Sequence, residues 1–289
     1  MPEIEVLSTG LLDTLQDEGR AGYQSQGVPL GGAMDRKSAA LANQLVGNPL
    51  ATPIVESTLL GPRLCFHGPA QIALTGAIAQ PKLDGQPIPT YTTVSVAPGS
   101  VLNIGGMQKG CRTYLAIRGD WLIRKWLGSC SPPPYQSELL TPESRLQPGQ
   151  RWQIRKSALI SVRSIALQEQ PGFPHIRDIR VFPGPEWAAF SIAATERFLN
   201  QAFTISKDAN RMGLRLQENL PDADRLPSLL SSAVLPGTVQ VPPSGQPIIL
   251  MADAQTTGGY PRLAQVCTDD LPALAQCRPE DQIRFRLHP

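Results

Sequence analysis

Charged side chains are scarce in this sequence. Only 17% of its 289 residues are Asp, Glu, Lys or Arg, and the formal net charge is +2 at pH 7. No cluster of Lys or Arg stands out, so the basic patch typical of proteins that bind nucleic acid is missing. We therefore expect no nucleic acid among the partners.

Histidine is scarcer still, with only His67, His175 and His288. None lies near a nucleophile motif such as GxSxG, and no group of His, Cys and acidic residues has metal-ligand spacing. The sequence thus argues against a Ser-His-Asp triad and against a metal centre. The glycine-rich stretch "NIGGMQKG" (103–110) lacks the GxxxxGK[ST] order of a phosphate-binding loop, and we predict a glycine hairpin there.

Long apolar runs are absent as well. None approaches the roughly 20 residues that span a bilayer, and the first residues, "MPEIEVLSTG", carry acids where a signal peptide needs a basic start. The five cysteines are odd in number and form no CxxC motif, which favours buried or unreactive thiols over disulfides or metal ligands. We therefore expect a cytoplasmic protein without a membrane partner.

Helical patterns are few, whereas short strand-like segments dominate. The 25 glycines and 29 prolines favour many short elements joined by turns. The expected fold is mainly β with a few short helices, and the regular strand spacing suggests closed or nearly closed barrels. A polar, proline-containing stretch at 167–178 is predicted to link two domains, 1–170 and 171–289, and 128–144 to form a long surface loop.

One helix is well marked, with Asp35 as its N-cap and Gly47 at its C-terminal end. Around it lies the first group of polar residues that could carry chemistry. The glycine-rich stretch 16–35 contains Arg20 and Asp35, Asn43 follows in the helix, and Glu56 interrupts an apolar strand. An unpaired carboxylate there would be costly, so Glu56 should pair with a cation such as Arg20 or lie in a cleft. A surface loop with an Arg–Asp pair is the alternative for 16–35, and helix capping is the alternative for Asn43.

The second group lies in the C-terminal half. The segment 206–216 carries Arg211 between two apolar stretches, and 238–260 ends two strand-like runs in polar residues. Strand ends at the mouth of a barrel are common ligand sites. A buried structural network would explain the same side chains. The donors and acceptors of 238–260 are Gln240, Asp253, Gln255, Thr256, Thr257 and Tyr260.

Taken in order, these motifs resemble one family. "GVPLGGAMD", "RMGLRL", "PGTVQVPPSGQPI" and "DAQTTGGYPRLAQV" are similar to the second subunit of the allophanate-hydrolase-named, biotin-dependent carboxyltransferase family. Its members include the C subunit of 5-oxoprolinase, also called KipA-like, and the carboxyltransferase part of urea carboxylase. The resemblance runs from residue 3 to 286 and is looser between 120 and 178.

The resemblance implies a pair of cyclophilin-like β-barrel domains and a protein that acts together with partner subunits. It implies an ATP-dependent 5-oxoprolinase, a hydrolase that opens 5-oxoproline to glutamate together with a KipI-like B subunit and a LamB/YcsF-like A subunit. Two alternatives stay open. One is a carboxyltransferase that moves a carboxyl group to urea or a related amide from biotin carried by a partner. The other is a non-catalytic regulator that binds a KipI-like kinase inhibitor.

Amide chemistry at such a site needs acceptors for N–H, donors for a developing oxyanion and a cation for a substrate carboxylate. Asp253 could accept from the amide or act as a base, and Arg20 or Arg211 could clamp a carboxylate. We predict three catalytic residues, namely Asp253, Glu56 and Arg20. The predicted substrate-binding residues are Arg211, Gln240, Gln255, Thr256, Gly258, Gly259, Tyr260, Asp35 and Asn43.

The sequence also departs from the family pattern at several positions. Cys130 stands where arginine is usual, Asn210 and Ser232 stand where acids are common, and Glu280 replaces a glycine. The "RGD" at 118–120 stands where a Gly-Gly pair often follows the arginine. The changes at 210 and 232 remove negative charge, and no biotinylation or ATP-grasp motif is present, so biotin and ATP are expected to be shared with or supplied by partners.

Overall fold

The computed structural model describes residues 3–155, 157–226 and 229–289. The chain forms two compact units. The first runs to Arg20 and resumes as Gly31–Phe173, and the second comprises Ala21–Leu30 and Pro174–Pro289. The division into subdomains at 1–170 and 171–289 stays a prediction. Because Ala21–Leu30 groups with the second unit, a single cut in the chain cannot separate the two units.

The first unit is built on one large, curled sheet. In its described part the strands are β1 (Glu3–Ser8), β2 (Leu12–Gln16), β3 (Ile54–Thr58), β4 (Leu60–Phe66), β5 (Ala70–Ala79), β6 (Lys82–Leu83), β7 (Gln86–Pro87), β8 (Val94–Val96), β9 (Val101–Ile117), β10 (Asp120–Trp121) and β11 (Arg151–Arg155). Their order is β10-β11-β1-β4-β9-β3-β2. Strand β5 pairs with β8 and β9, and β6 pairs with β7 and β9. The long strand β9 is therefore the centre of this unit.

Helix α1 (Arg36–Leu45) begins and ends where the sequence predicts. Asp35 is the N-cap, and its Oδ1 accepts a hydrogen bond from the backbone N of Ser38 at 2.9 Å. Gly47, with φ +67°, follows the cap residue Val46 in the left-handed conformation that glycine adopts without strain. The apolar face of α1 packs on the sheet through buried residues, namely Ala39, Ala42, Leu45, Tyr114 and Ala116. A second, short helix is α2 (Ser137–Leu140).

The second unit carries its own curled sheet. Its described strands are β12 (Ile176–Pro183), β13 (Ala202–Thr204), β14 (Gly213–Arg215), β15 (Ser232–Ala233), β16 (Thr238–Gln240), β17 (Ile248–Leu250), β18 (Thr257–Gly258), β19 (Arg262–Val266) and β20 (Gln282–Leu287). The sheet order is β13-β20-β12-β19-β16-β17-β14, with β15 and β18 paired separately. Strands β12 and β20 run parallel. Strand β14 thus forms one edge.

Helices α3 (Ile192–Asn200) and α4 (Leu271–Ala275) belong to the second unit. Phe198 of α3 is fully buried and stacks on Phe285 of β20 with ring centroids 4.1 Å apart. Phe203 of β13 meets the same ring edge-on at 5.6 Å. This aromatic cluster anchors α3 to the sheet. Together the two sheets and short helices confirm the expectation of a mainly β fold.

Two local predictions are wrong. The stretch 103–110 forms no hairpin but lies inside the continuous strand β9, where Gly110 has φ +77° and the register with β5 shifts between Met107 and Thr113. A left-handed glycine here bends the strand as a bulge does, without reversing it. The stretch 128–144 is not a surface loop throughout, because Ser129, Cys130 and Ser131 are completely buried.

The five cysteine thiols are free, and four of them are buried. Burial is the main cause that raises the pKa of the Cys130 thiol well above its ordinary value, and the negative charge of Asp17 adds to it. This thiol therefore stays protonated and unreactive. Across the three described ranges, no helix is both long and apolar enough to cross a membrane.

Candidate functional site

In the first unit, Arg20 belongs to a buried polar cluster. Its Nε donates to the Trp126 carbonyl oxygen at 3.3 Å, a second guanidinium nitrogen donates to the Ser131 carbonyl oxygen, and the group lies 4.9 Å from the centroid of the Trp126 ring. The Asp17 carboxylate accepts from Ser129 Oγ at 2.5 Å and from Ser131 Oγ at 2.8 Å. The cluster therefore fixes the buried segment 129–131, and the guanidinium of Arg20 is already engaged by the protein.

Glu56 of β3 is buried and held from two sides. Its Oε2 accepts from the backbone N of Met34 at 2.8 Å, and its Oε1 lies 3.8 Å from Nε of Arg112. The cation that the fold brings to Glu56 is thus Arg112 of β9, a residue to which the sequence had not pointed. This corrects the predicted pairing with Arg20. Because the carboxylate is 1% exposed, such a partner is what makes its burial tolerable.

Asp35 and Asn43 hold the backbone around α1. Besides capping the helix, Asp35 accepts from Ser38 Oγ at 2.6 Å. Asn43 Nδ2 donates to the carbonyl oxygens of Leu50 at 3.1 Å and Thr52 at 2.9 Å. Asn43 also borders a small cavity of about 160 Å³ with Asp17 and Arg36 among its walls. Both predicted binding residues therefore have structural roles in this unit.

In the second unit, Arg211 and Asp253 form a buried two-point ion pair. Arg211 Nε donates to Asp253 Oδ2 at 2.8 Å, and the terminal nitrogen Nη2 donates to Oδ1 at 2.8 Å. The backbone N of Asp253 also donates to the Arg211 carbonyl oxygen at 2.9 Å. Such a fork-to-carboxylate geometry is strong and directional. The pair joins the loop before β14 to the loop after β17. The two side chains therefore bind each other and hold these loops together.

A pocket of about 160 Å³ lies on this sheet, and Asn210 and Met212, the chain neighbours of Arg211, are among its lining residues. Its floor comes from alternate residues of three neighbouring strands. Arg215 of β14 is opposite Ile248 of β17, which is opposite Gln240 of β16, and Gly213 is opposite Leu250 one step further along. Directly paired residues point to the same face of a sheet, so these five line one surface. The walls come from loops, through Asn210, Met212, Gln255 and Tyr260.

The amide side chains of Gln240 and Gln255 form the polar part of this pocket. Gln240 Nε2 donates to the Tyr260 carbonyl oxygen at 3.3 Å, and Gln255 Nε2 donates to Gln240 Oε1 at 3.5 Å. Each amide has two N–H donors and an oxygen with two lone pairs, so donors and acceptors remain for a ligand. Apolar lining residues combined with a few convergent polar groups are typical of a small-molecule site.

The two glycines of "TTGG" explain how the loop approaches Gln240. A Cβ added to Gly258 would lie 2.5 Å from Gln240 Nε2, a distance that real side chains do not tolerate, whereas one added to Gly259 would lie 3.2 Å from the Leu229 carbonyl oxygen. Thr256 contributes its carbonyl oxygen to the backbone N of Val234 at 3.0 Å. The glycine at 258 thus lets the loop lie directly against the Gln240 amide without displacing it.

The predicted site residues fall into two groups, one in each unit. Gln240, Gln255 and Tyr260 share one pocket, whereas Arg20, Glu56, Asp35 and Asn43 belong to the first unit. The sequence alone did not point to Arg215 and Ile248. The signal for Arg215 was available, because a residue two positions after Gly213 in a strand points to the same face. Within the described ranges, no group of three His, Cys, Asp or Glu side chains could hold a metal ion.

Comparison with known proteins gives a consistent result. The family described as carboxyltransferase domain, subdomain A and B, matches residues 26–287. The C subunit of 5-oxoprolinase from Escherichia coli is 36% identical over 98% of this chain and 90% of its own length. The urea amidolyase of Saccharomyces cerevisiae is 33% identical over 98% of this chain, but this chain corresponds to only 16% of that protein.

Solved structures agree. The crystal structure of TTHA0988 superposes with a TM-score of 0.88 at 31% identity and covers 99% of this chain. This chain spans 56% of the length of that protein. The match by sequence extends across nearly the whole length of both this chain and the E. coli relative. The chain therefore belongs to the carboxyltransferase domain family of subdomains A and B.

Proposed function

We propose that this chain is a cytoplasmic, non-autonomous subunit of a 5-oxoprolinase-type amidohydrolase, which opens 5-oxoproline to glutamate at the expense of ATP. The similarity to the C subunit of the E. coli 5-oxoprolinase, which extends over 90% of that relative, supports this assignment. The name of that relative denotes one component of a larger enzyme. As the partners here we propose a KipI-like B subunit and a LamB/YcsF-like A subunit.

The observation that carries the proposal is the Gln240–Gln255 pocket. A lactam presents its N–H and its C=O on one edge, and a primary amide side chain can accept from the first and donate to the second. In the reaction, water oxygen bonds to the lactam carbon, the ring C–N bond breaks and the nitrogen takes up the proton. Donors from Gln255 and from the backbone near Gly258 and Gly259 would stabilise the oxyanion as it forms.

The same geometry supports a role for Asp253 other than that of a free base. Because Arg211 donates a hydrogen bond to each of its oxygens, Asp253 serves as a positioning residue that fixes the two loops around the pocket. Glu56 and Arg20 have equivalent structural partners in the first unit. We therefore assign the chemistry of substrate binding to the second unit.

ATP does not fit the pocket. A volume of about 160 Å³, with Arg215 as the single cation among the described residues that line it, lacks both the room and the charge for a nucleoside triphosphate. We accordingly derive no step through ATP on this chain and propose that the nucleotide is bound by the partner subunits. The isolated chain is then expected to be inactive.

A carboxyltransferase is the second candidate. The urea amidolyase of S. cerevisiae is 33% identical to this chain, and urea is also a small amide that two glutamine side chains could bind. This chain corresponds to only 16% of that relative. The activity of the S. cerevisiae protein is therefore weaker support for a function of this chain than that of the E. coli protein. The biotin of such a reaction would come from a partner.

Co-purification separates these functions. A tagged copy would be isolated from its native host, its partners identified by mass spectrometry, and the assembly probed with streptavidin for biotin. Glutamate release from 5-oxoproline that depends on ATP supports the proposal. A biotinylated partner with carboxylation of urea contradicts it in favour of the carboxyltransferase. A KipI-like partner without turnover contradicts it in favour of a regulator.

A further inference from the structure

Arg215 differs from most of the other arginines that border the second sheet. Arg177, Arg180, Arg211 and Arg262 each pair with a carboxylate, at distances of 2.7–2.9 Å. Arg215 is exposed on the edge strand β14, and among the described residues its guanidinium makes no hydrogen bond or ion pair. A cation without a protein partner in the wall of a pocket is available to a ligand.

Strand register places this cation at a useful distance from the amides. Arg215, Ile248 and Gln240 are consecutive partners across β14, β17 and β16. Direct partners in an antiparallel sheet have Cβ atoms about 5 Å apart, so the arginine and the glutamine flank a single apolar residue. Gly213, which has no side chain, lines the pocket beside Arg215, and a Cβ at this position would lie 3.0 Å from Cγ2 of Ile248.

We propose that Arg215 binds the carboxylate of the substrate while the lactam edge pairs with the amides of Gln240 and Gln255. This inference rests on the proposed function and names the residue that recognises a cyclic amide carrying a carboxylate. The methylene groups of the ring lie on Ile248, and Met212 covers them from the loop side. A planar guanidinium binds a carboxylate through two parallel hydrogen bonds, which gives the ring one orientation.

The sequence had proposed Arg211 or Arg20 for this task, and the structure favours Arg215 over both. Arg211 uses Nε and Nη2 to bind Asp253, and Arg20 donates to two carbonyl oxygens in the first unit. Arg215 is the arginine that lines the pocket with the two glutamines. Its removal should therefore affect substrate binding and leave the fold in place.

Steady-state kinetics of the co-purified assembly test this inference. We expect Arg215→Gln to raise the KM for 5-oxoproline roughly ten- to hundredfold with little change in kcat, because it removes a charged hydrogen-bond partner of the bound substrate. Arg215→Lys should recover part of the loss, since it keeps the charge without the fork. Arg284→Gln is the matched control, because Arg284 lies on β20 at the other side of the sheet and likewise has no ion pair with a described residue.

Inhibition by 2-pyrrolidinone, the lactam without its carboxylate, separates recognition from a structural effect. We expect its inhibition constant to be the same for wild type and Arg215→Gln. An unchanged KM for 5-oxoproline in Arg215→Gln, or an equal weakening of both ligands, overturns the inference while the proposed function stands. A wild-type assembly that releases no glutamate overturns the proposed function itself, and the inference with it.

Discussion

The side chains of Arg211 and Asp253 bind each other through two parallel hydrogen bonds of 2.8 Å, and their backbones add a third of 2.9 Å. Both residues are 7% exposed. The sequence predicts Asp253 as a hydrogen-bond acceptor or base and Arg211 as a residue that binds a substrate carboxylate. The pairing makes them a structural link between two loops that form the pocket walls.

Replacement of Asp253 by Asn should therefore destabilise the fold as well as impair the site. It leaves the Arg211 cation buried without its charged partner, and breaking such a pair costs about 3–5 kcal/mol. Urea unfolding of the full chain measures this change. In the double variant Arg211→Gln with Asp253→Asn, the loss should be smaller than the sum of the two single losses, since the pair is coupled. Additive losses would contradict the pairing.

Gly258→Ala should damage the pocket without unfolding the protein. The new Cβ would meet the end of the Gln240 side chain at 2.5 Å, and a side-chain amide can move aside where a backbone could not. Because displacement of a binding group by an ångström costs roughly a hundredfold in rate, we expect a large fall in kcat/KM of the assembly. Gly259→Ala, with 3.2 Å to the Leu229 carbonyl oxygen, is the matched control and should lose less. Equal effects would contradict the geometry.

Glu280→Gly should stabilise the protein. Glu280 has φ +71°, a left-handed conformation that costs a residue with a side chain about 1–2 kcal/mol. Glycine removes that cost but adds about 0.4–1 kcal/mol of unfolded-chain entropy, which leaves a net gain of about 0.5–1 kcal/mol. Glu280→Ala separates the backbone effect from the 3.0 Å hydrogen bond that Glu280 accepts from Gln217, and it should give no gain. Stability is read from urea midpoints, and a loss in Glu280→Gly would refute the explanation.

The ion pair of Glu186 and Arg262 should give the second unit a measurable acid sensitivity. Hydrogen bonds from the Arg262 side chain, opposed in part by burial, hold the pKa of the Glu186 carboxyl below its ordinary value of 4.5. The folded state thus binds this proton more weakly than the unfolded chain. The stabilisation is complete above the ordinary value and is lost as the pH falls through the folded-state value.

We therefore expect Glu186→Gln to lower the free energy of unfolding by about 1.5–3 kcal/mol near neutral pH and by less in acid. Unfolding free energies at about pH 7 and about pH 4 measure the difference. Asp224→Asn, which changes an exposed acid that forms no ion pair with a described residue, should show no such pH dependence. A constant difference between wild type and Glu186→Gln at both pH values would show that the charge is not what stabilises the pair.

Local signals in the sequence predicted much of the fold. The cap residue Asp35 and the left-handed Gly47 both mark the ends of α1, and alternating apolar residues predict strands such as β11 and β20. The prediction failed at 103–110, where a glycine that permits a hairpin also permits a bulge in a continuous strand. Which of the two forms depends on the partner strands, and these lie far away in the sequence.

The site was harder to predict, because its polar residues find their partners at long range. Arg20 binds a carbonyl group 111 residues away, and Arg211 binds a carboxylate 42 residues away. Nothing in a stretch of sequence distinguishes such an engaged arginine from one that is available to a ligand. Arg215 became the better candidate only when the register placed it opposite Ile248, in the same row as Gln240.

Glutamate formation by a reconstituted assembly tests the central claim most directly. The partners that co-purify with this chain would be expressed with and without it, and glutamate would be quantified after incubation with 5-oxoproline and ATP. We predict that glutamate forms only when the chain is present and the nucleotide is supplied. Equal glutamate formation without the chain, or biotin-dependent carboxylation without any glutamate, would contradict the account.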